Sequence, residues 1–212
     1  VMHAGRIGHD GGILRSALEA AGVDVSLLVE GDVPTGHAII QVDAKGENAI
    51  ILYGGANRRI TEVEIDAALD AVGDGILLLQ NEIANLTYLL RAAARRGLRV
   101  VLNASPISDE LLNADLSGVD WLVVNEIECA AMAGCGDAQA GYETLKQRYP
   151  SLGILLTLGS EGSVSWKDGT EVRQCAYPVK AVDTTGAGDT FMGYFVGCLA
   201  QGMERQTAMQ YA

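Results

Sequence analysis

Positive charge is scarce in this sequence. Its 212 residues include 15 lysines and arginines against 27 aspartates and glutamates, which gives a formal net charge of -12. Nucleic acids and anionic membranes are bound by basic faces of proteins. The composition therefore predicts no nucleic-acid partner and no membrane partner, although a helix N-terminus can still bind a small phosphorylated ligand locally.

Cysteines and long apolar runs are also few. The four cysteines form no C-x-x-C pattern, which favours free thiols in a reducing compartment. No apolar run reaches the roughly 18 residues that a membrane span needs, and no signal-peptide pattern opens the chain. These absences predict a cytoplasmic protein.

Several catalytic signatures are missing. The sequence contains no P-loop, no G-x-G-x-x-G after a strand, no H-E-x-x-H and no G-x-S-x-G. Its three histidines, His3, His9 and His37, all lie in the first part of the chain. These positions, away from the later strand ends, argue against a Ser-His-Asp site and against a histidine-metal cluster.

Both ends of the sequence fall within predicted elements. The chain opens at V-M-H-A-G in a strand pattern and closes at T-A-M-Q-Y-A in a helical pattern. We therefore expect a single α/β domain over residues 1–212 that is truncated at both ends.

The first part of the chain combines a helical pattern with clustered strands. Apolar spacing predicts a helix from Gly11 to Gly22, with Asp10 as its N-cap. Three strand-like runs follow over residues 24–53, and A-K-G-E between the last two is a hairpin signal. We expect these strands to be antiparallel and to form a small β lid inserted in the domain.

From residue 61 onward, strand and helix patterns alternate. Thr61 and Glu64 form a capping box, and the later strands are apolar on both faces, as buried parallel strands are. This alternation predicts a doubly wound, mostly parallel sheet flanked by helices, with a Rossmann-like core. A turn at Lys167-Asp168-Gly169 indicates a hairpin.

Polar residues follow the predicted buried strands. Ligands of open α/β sheets bind beyond the carboxyl ends of the strands. Any one of these polar residues alone is more often structural, since strand ends are commonly exposed to solvent. Their joint placement is better explained by a ligand crevice. The residues are Gln80, Asn81, Glu82, Asn103, Asn125, Thr157, Asp183 and Thr184.

The segment V-D-T-T-G-A-G-D-T-F precedes an apolar helix. Its bare turn, Gly186-Ala187-Gly188, lets the backbone approach a ligand and aims free N–H groups at a transferring phosphoryl group. Asp189 is then either the base that takes a proton from an attacking hydroxyl or an ordinary first-turn carboxylate. The spacing leaves both interpretations open.

This segment resembles the ribokinase (PfkB-type) sugar-kinase family, and the resemblance covers nearly the whole chain. It implies that Asp189 is the catalytic base and that Gly186, Ala187 and Gly188 form the anion hole. It also implies that Asp183 and Thr185 hold a monovalent cation, usually potassium.

Three further stretches agree with the family. V-N-E-I-E resembles its N-x-x-E motif, T-L-G-S-E-G its nucleotide loop, and Q-N-E the position of a sugar-binding glutamate. The resemblance implies that Asn125 contacts a nucleotide phosphate, that Glu128 orients hydrated magnesium, and that Glu82 binds the sugar. It adds these ATP-binding residues: Thr157, Gly159, Ser160, Gly162 and Gly188. An N-cap remains the alternative for Asn125, and a solvated loop residue the alternative for Glu82.

Within the family, P-T-G-H-A-I-I-Q-V-D and G-E-N-A-I-I-L-Y-G-G-A-N look most like the ribokinase branch, whose lid covers the sugar and often pairs in a dimer. The resemblance implies an ATP-dependent kinase of a primary hydroxyl on a small sugar, most similar to ribose, and a homodimer through the lid. Fructose, a nucleoside or a keto-deoxy sugar acid remain alternative acceptors.

The sequence also departs from the family pattern. The N-terminal strand with a sugar-binding aspartate, the G-G-x-x-x-N helix and the C-terminal adenine loop are absent, and Met192 and Tyr194 replace the usual residues. A nucleotide-binding segment without catalysis therefore stays an alternative.

Overall fold

The computed structural model describes residues 1–42, 48–180 and 184–212. Its internal contacts divide the chain into two compact units. The first unit comprises Val1–Ala71 and Glu82–Leu89, and the second comprises Val72–Asn81 and Leu90–Ala212. The single domain over residues 1–212 stays a prediction.

The first unit contains short strands and helices. Its elements are β1 (Met2–Gly8), α1 (Gly12–Ala20), β2 (Asp24–Gly31), β3 (His37–Val42), β4 (Asn48–Tyr53), a 3-10 turn (Gly55–Arg59) and α2 (Glu62–Val72). The capping box at α2 is confirmed, because the Thr61 N–H donates to Glu64 Oε2 at 2.8 Å and the Glu64 N–H donates to Thr61 Oγ1 at 3.3 Å.

Strand β2 does not belong to an antiparallel lid. It pairs with β1 in a parallel two-stranded sheet, in which Gly5 faces Leu28 and Ile7 faces Glu30. The prediction that all strands over residues 24–53 are antiparallel is therefore wrong for β2. Its apolar residues instead pack with β1 in a small core formed by Ile7, Val25 and Leu28.

Strands β3 and β4 form a separate antiparallel hairpin, as the sequence predicts for this pair. Ile39 pairs with Ile51 and Ile40 with Ile50, and all four side chains are exposed. The A-K-G-E turn at residues 44–47 lies outside the described residues.

Asp10 is not the N-cap of α1. Gly11 occupies that position and no side chain caps the helix. The Asp10 carboxylate instead accepts hydrogen bonds from the Thr35 N–H at 2.9 Å and the Thr35 hydroxyl at 2.6 Å. The hydroxyl oxygen in turn accepts from the Gly8 N–H at 2.9 Å. The Asp10 carboxylate therefore binds Thr35, 25 residues away in sequence, rather than the first N–H groups of the adjacent helix.

The second unit is built around a six-stranded sheet of order β10-β9-β8-β7-β6-β5. Strands β5 to β8 are mutually parallel, whereas β9 and β10 are antiparallel, as predicted for the hairpin near Lys167. The strands are β5 (Ile76–Gln80), β6 (Arg99–Asn103), β7 (Trp121–Asn125), β8 (Gly153–Thr157), β9 (Ser163–Lys167) and β10 (Thr170–Gln174).

Helices connect these strands or follow them. They are α3 (Leu86–Arg95), α4 (Asp109–Leu112), α5 (Glu126–Ala133), α6 (Ala138–Arg148), α7 (Ala187–Ala200) and α8 (Arg205–Tyr211). The mostly parallel sheet with flanking helices confirms the predicted α/β fold class. None of the helices in the described ranges is long and apolar enough to cross a membrane.

Helix α7 is held against the sheet by apolar packing. The Phe195 ring meets the Trp121 ring edge-on, with the ring centroids 5.3 Å apart. Val101, Leu155 and Met192 complete this core. Burying two such aromatic rings contributes several kcal/mol on an order-of-magnitude scale. This packing fixes the helix whose first turn carries Asp189.

Candidate active site

The carboxyl ends of the parallel strands carry the predicted polar rim. Gln80 ends β5 and is the register partner of Asn103, which ends β6. Asn125 ends β7 and is the register partner of Thr157, which ends β8. The prediction that these residues share one edge of the sheet is therefore confirmed.

The glycine turn at the start of α7 is exposed. Gly186 is the N-cap residue and has a left-handed backbone with φ 72° and ψ 7°, a conformation that glycine adopts without strain. The Gly186 carbonyl accepts from the Thr190 N–H and from the Thr190 hydroxyl, each at 2.9 Å. The first N–H groups of a helix have no intrahelical acceptor, so this end of α7 can bind an anion.

One N–H of the predicted anion hole already has an acceptor. The Ala187 N–H donates to the Thr184 carbonyl at 3.1 Å. Residues 184–190 are exposed, so no side chain from the described ranges covers the turn.

Asp189 lies on the first turn of α7, and its side chain is exposed. Its Oδ1 accepts a hydrogen bond from Gln80 Nε2 at 2.5 Å. This bond joins the start of α7 to the end of β5, so Asp189 lies at the polar rim. The sequence places Gln80 only among the rim residues, because nothing local signals a partner 109 residues away.

Asn125 and Glu128 form a reciprocal capping box at the start of α5. Asn125 Oδ1 accepts from the Glu128 N–H at 2.9 Å, and Glu128 Oε2 accepts from the Asn125 N–H at 2.9 Å. The N-cap interpretation of Asn125 is therefore confirmed. Glu128 is only 8% exposed, and the cap fixes the position of its carboxylate.

The predicted nucleotide loop directly follows β8. Thr157 Oγ1 donates to the Val124 carbonyl at 3.4 Å, and a 3-10 turn spans Gly159–Glu161. The Leu158 N–H and the Gly162 carbonyl close the loop at 2.8 Å. Gly162 has φ 100°, and a Cβ there would collide with the Gln174 carbonyl, so only glycine fits. Ser160 is exposed at the tip of this loop.

The structure describes only one of the two predicted ligands of the monovalent cation. Asp183 lies outside the described residues. Thr185 is described and exposed, and it has an interaction of its own. Within the described part of the chain, no three histidine, cysteine or acidic side chains gather as a metal site.

Glu82 belongs to the first unit, where it lies half-buried in the turn after β5.

Met192 is 3% exposed and packs in the core of the second unit, whereas Tyr194 is exposed. A cavity of about 380 Å³ lies along α7 between Thr190 and Gln201 and contains none of the predicted site residues.

The Cys129 thiol, next to Glu128 in α5, is a poor candidate for a nucleophile. Burial, aided by nearby Cys135, raises the pKa of the Cys129 thiol to about 12. That thiol therefore stays protonated at neutral pH.

The sequence profile of the pfkB family of carbohydrate kinases matches residues 1–212. A curated ribokinase of Arabidopsis thaliana is 32% identical over 225 residues, which cover 98% of this chain and 59% of that protein. The chain thus spans about three fifths of the length of this relative.

Solved structures agree with the sequence comparison. The structure of ribokinase from Cryptococcus neoformans var. grubii serotype A in complex with ADP has a TM-score of 0.87 and 32% identity, covering 99% of this chain and 73% of that one. Arabidopsis thaliana ribokinase complexed with ribose and ATP has a TM-score of 0.80 and 28% identity, covering 99% and 72%.

Proposed function

We propose that this chain, which belongs to the pfkB family of carbohydrate kinases, supplies the phosphoryl-transfer site of an ATP-dependent sugar kinase. The acceptor we propose is a primary hydroxyl of a small sugar, with ribose as the first candidate. Relatives that bind ADP, or ribose and ATP, support this choice.

One observation carries the proposal. The exposed Asp189 carboxylate lies in the first turn of α7, three residues after the Gly186 cap, whose backbone is left-handed. A helix N-terminus stabilises the negative charge of a phosphoryl group, and a carboxylate beside it can accept a proton. An ordinary first-turn carboxylate would need neither the bare turn nor the contact with the strand ends.

The reaction requires one proton transfer and one displacement. An oxygen of Asp189 takes the proton of the sugar hydroxyl, and the hydroxyl oxygen forms a bond to the γ-phosphorus of ATP. The bond from that phosphorus to the β,γ-bridging oxygen breaks, and ADP leaves with the bonding electrons. Backbone N–H groups of Gly186 and Gly188 stabilise the charge on the transferring group, and the Ala187 N–H joins them when it releases the Thr184 carbonyl.

The nucleotide lies across the ends of β7 and β8 in this proposal. The Asn125 amide contacts a phosphate, and the loop after β8 holds the rest of the nucleotide. Loop glycines let the backbone approach the ligand closely. The proposed ATP-binding residues are Asn125, Thr157, Gly159, Ser160, Gly162 and Gly188.

Two cations complete the proposed site. Glu128 fits hydrated magnesium, because the cap uses its Oε2 and leaves Oε1 for metal-bound water. Asp183 and Thr185 are proposed to hold potassium. Bound magnesium supplies charge neutralisation on the phosphates of ATP.

Glu82 is the proposed sugar contact from the protein, and the hairpin β3–β4 is the proposed lid and dimer contact.

The four free cysteines fit a reducing compartment such as the cytoplasm.

Asp189→Asn tests the proposed base directly. We expect the substitution to lower kcat with ribose by at least about a hundredfold, because asparagine cannot accept the proton. Nucleotide affinity should stay within about twofold. Transfer is measured by phosphorus NMR of the sugar phosphate, over a panel of ribose, deoxyribose, fructose and adenosine, and nucleotide affinity by calorimetry.

Asp32→Asn is the matched control, since Asp32 is exposed and makes no described hydrogen bond. It should leave kcat unchanged. Full turnover in Asp189→Asn would overturn the base assignment, and transfer to no member of the panel by the unaltered protein would overturn the proposed function.

A further inference from the structure

We infer that Gln80 is a positioning residue for Asp189. Its side-chain amide holds one carboxylate oxygen and leaves the other directed to the acceptor hydroxyl. The kinetic consequence rests on the proposed function, whereas the contact itself can be tested without any turnover.

The geometry at Asp189 supplies the first step. Gln80 Nε2 donates to Asp189 Oδ1 at 2.5 Å, and this is the hydrogen bond that the structure describes for that carboxylate. A short aspartate side chain on a helix surface otherwise samples several rotamers. A donor on one oxygen selects among them, and a hydrogen bond to an ionised carboxylate is stronger than a neutral one.

The anchoring of Gln80 supplies the second step. The next residue, Asn81, is 2% exposed, and its N–H donates to the Ser105 carbonyl at 3.1 Å. Its side-chain amide donates to the Pro106 carbonyl at 2.5 Å and to Ser108 Oγ at 2.8 Å. Ser108 is itself the N-cap of α4.

These contacts fix the end of β5 from behind. Gln80 is half-buried and stays in register with Asn103, so its backbone has little freedom. The amide therefore reaches Asp189 from a rigid strand rather than from a loop. Rigid elements hold a reacting group more exactly than loops do.

The chemistry of the amide supplies the third step. Glutamine donates a hydrogen bond without competing for a proton, because its amide does not titrate in water. It can hold Asp189 Oδ1 while Oδ2 accepts the proton of the hydroxyl. A leucine at position 80 would remove the donor, and a glutamate would replace it with a second negative charge.

A double-mutant cycle tests the kinetic role. Gln80→Leu should lower kcat by about tenfold with little change in the KM for ATP. The same substitution in an Asp189→Asn background should cost less than about twofold, because the group through which Gln80 acts is gone. Equal losses in both backgrounds would overturn the inference.

The contact has a second readout that needs no activity. In proton–nitrogen NMR spectra, the Gln80 side-chain amide should exchange with water several-fold faster in Asp189→Ala than in the unaltered protein. An unchanged Gln80 amide in the folded variant would contradict the contact. Failure of sugar phosphorylation in the unaltered protein would instead count against the proposed function alone.

Gln206→Leu is the matched control for the cycle. Gln206 is exposed on α8 and makes no described hydrogen bond. It should leave kcat, KM and the Gln80 amide signals as they are in the unaltered protein.

Discussion

Asp10 shows how one side chain can join segments that are distant in sequence. The hydrogen bonds from the Thr35 hydroxyl and N–H hold the pKa of Asp10 below its ordinary value of 3.8. Thr35 lies in the connection between β2 and β3, and it is 8% exposed. The ionised carboxylate therefore stabilises the folded first unit more than the protonated acid does.

The pH dependence follows from the direction of this shift. Because the pKa is lower in the folded than in the unfolded chain, the contribution of Asp10 is complete above pH 3.8. It is lost as the pH falls through the lower folded-state pKa. We expect Asp10→Asn to lower the urea midpoint at pH 7 and to matter less at pH 3, as measured by far-UV circular dichroism.

Asp32 lies in the connection between β2 and β3, as Thr35 does. As the control, Asp32→Asn should leave the urea midpoint unchanged at either pH. An effect of Asp10→Asn that is equally large at both pH values would contradict the role of its charge.

Long-range partners are what the sequence does not reveal at this scale. Asp10 looks like a helix cap from its neighbours, yet Thr35 takes its carboxylate. Gln80 looks like one polar strand end among several, yet it contacts Asp189. Local spacing predicts which residues are polar and where they end an element. Which distant residue meets them depends on packing.

At the scale of the element, the start of α5 combines two demands on one residue. Asn125 caps the helix through Oδ1, and its side chain also lies at the rim where we propose a phosphate. The cap needs only an acceptor oxygen, whereas a phosphate contact needs the amide donor. Substitutions can therefore separate the two demands.

Asn125→Asp should keep the cap and weaken ATP binding. Aspartate caps helices about as well as asparagine does, so the melting temperature should change little. The added negative charge should lower ATP affinity by about tenfold or more, as measured by calorimetry.

Asn125→Ala is the companion variant, and it should cost about 1 kcal/mol, or roughly 2–4 °C in melting temperature. Unchanged ATP affinity in Asn125→Asp would contradict the phosphate contact.

Elements are the level at which the sequence predicts most. The capping box at Thr61 and the N-cap at Asn125 occur as predicted, because the partner of each lies three residues further along the chain. The hairpin between β9 and β10 also occurs as predicted. The pairing of β2 was mispredicted, since a strand's own pattern does not say whether its neighbour is β1 or β3.

At the scale of the whole molecule, the β3–β4 hairpin presents an unusual amount of apolar surface. Ile39 is 53% and Ile51 58% exposed, and they pair across the hairpin. Contiguous exposed apolar patches mark interaction sites. This supports the proposed homodimer through the lid, with the same patch contributed by both copies.

Sedimentation velocity tests this assembly. The unaltered chain should sediment as a dimer at tens of micromolar, and Ile51→Glu should sediment as a monomer, because burying an unpaired carboxylate at the contact is costly. Val63→Glu is the control, since Val63 is 78% exposed on α2. A monomeric unaltered chain, or a dimeric Ile51→Glu variant, would contradict a lid dimer.

The positions of the two tryptophans have a practical consequence for optical experiments. Trp121 lies in β7 and Trp166 in β9, both in the second unit, and residues 1–71 and 82–89 contain no tryptophan. The Trp121 ring meets the Phe195 ring of α7 edge-on, and the Trp166 ring lies beneath the Lys146 ammonium, with 4.5 Å between the ammonium nitrogen and the ring centroid. Tryptophan fluorescence, excited selectively, will thus report on the loosening of α7 and β9. It will not report on the unfolding of the β3–β4 hairpin or on the loss of the Asp10–Thr35 hydrogen bonds, unless a reporter dye is attached to the first unit.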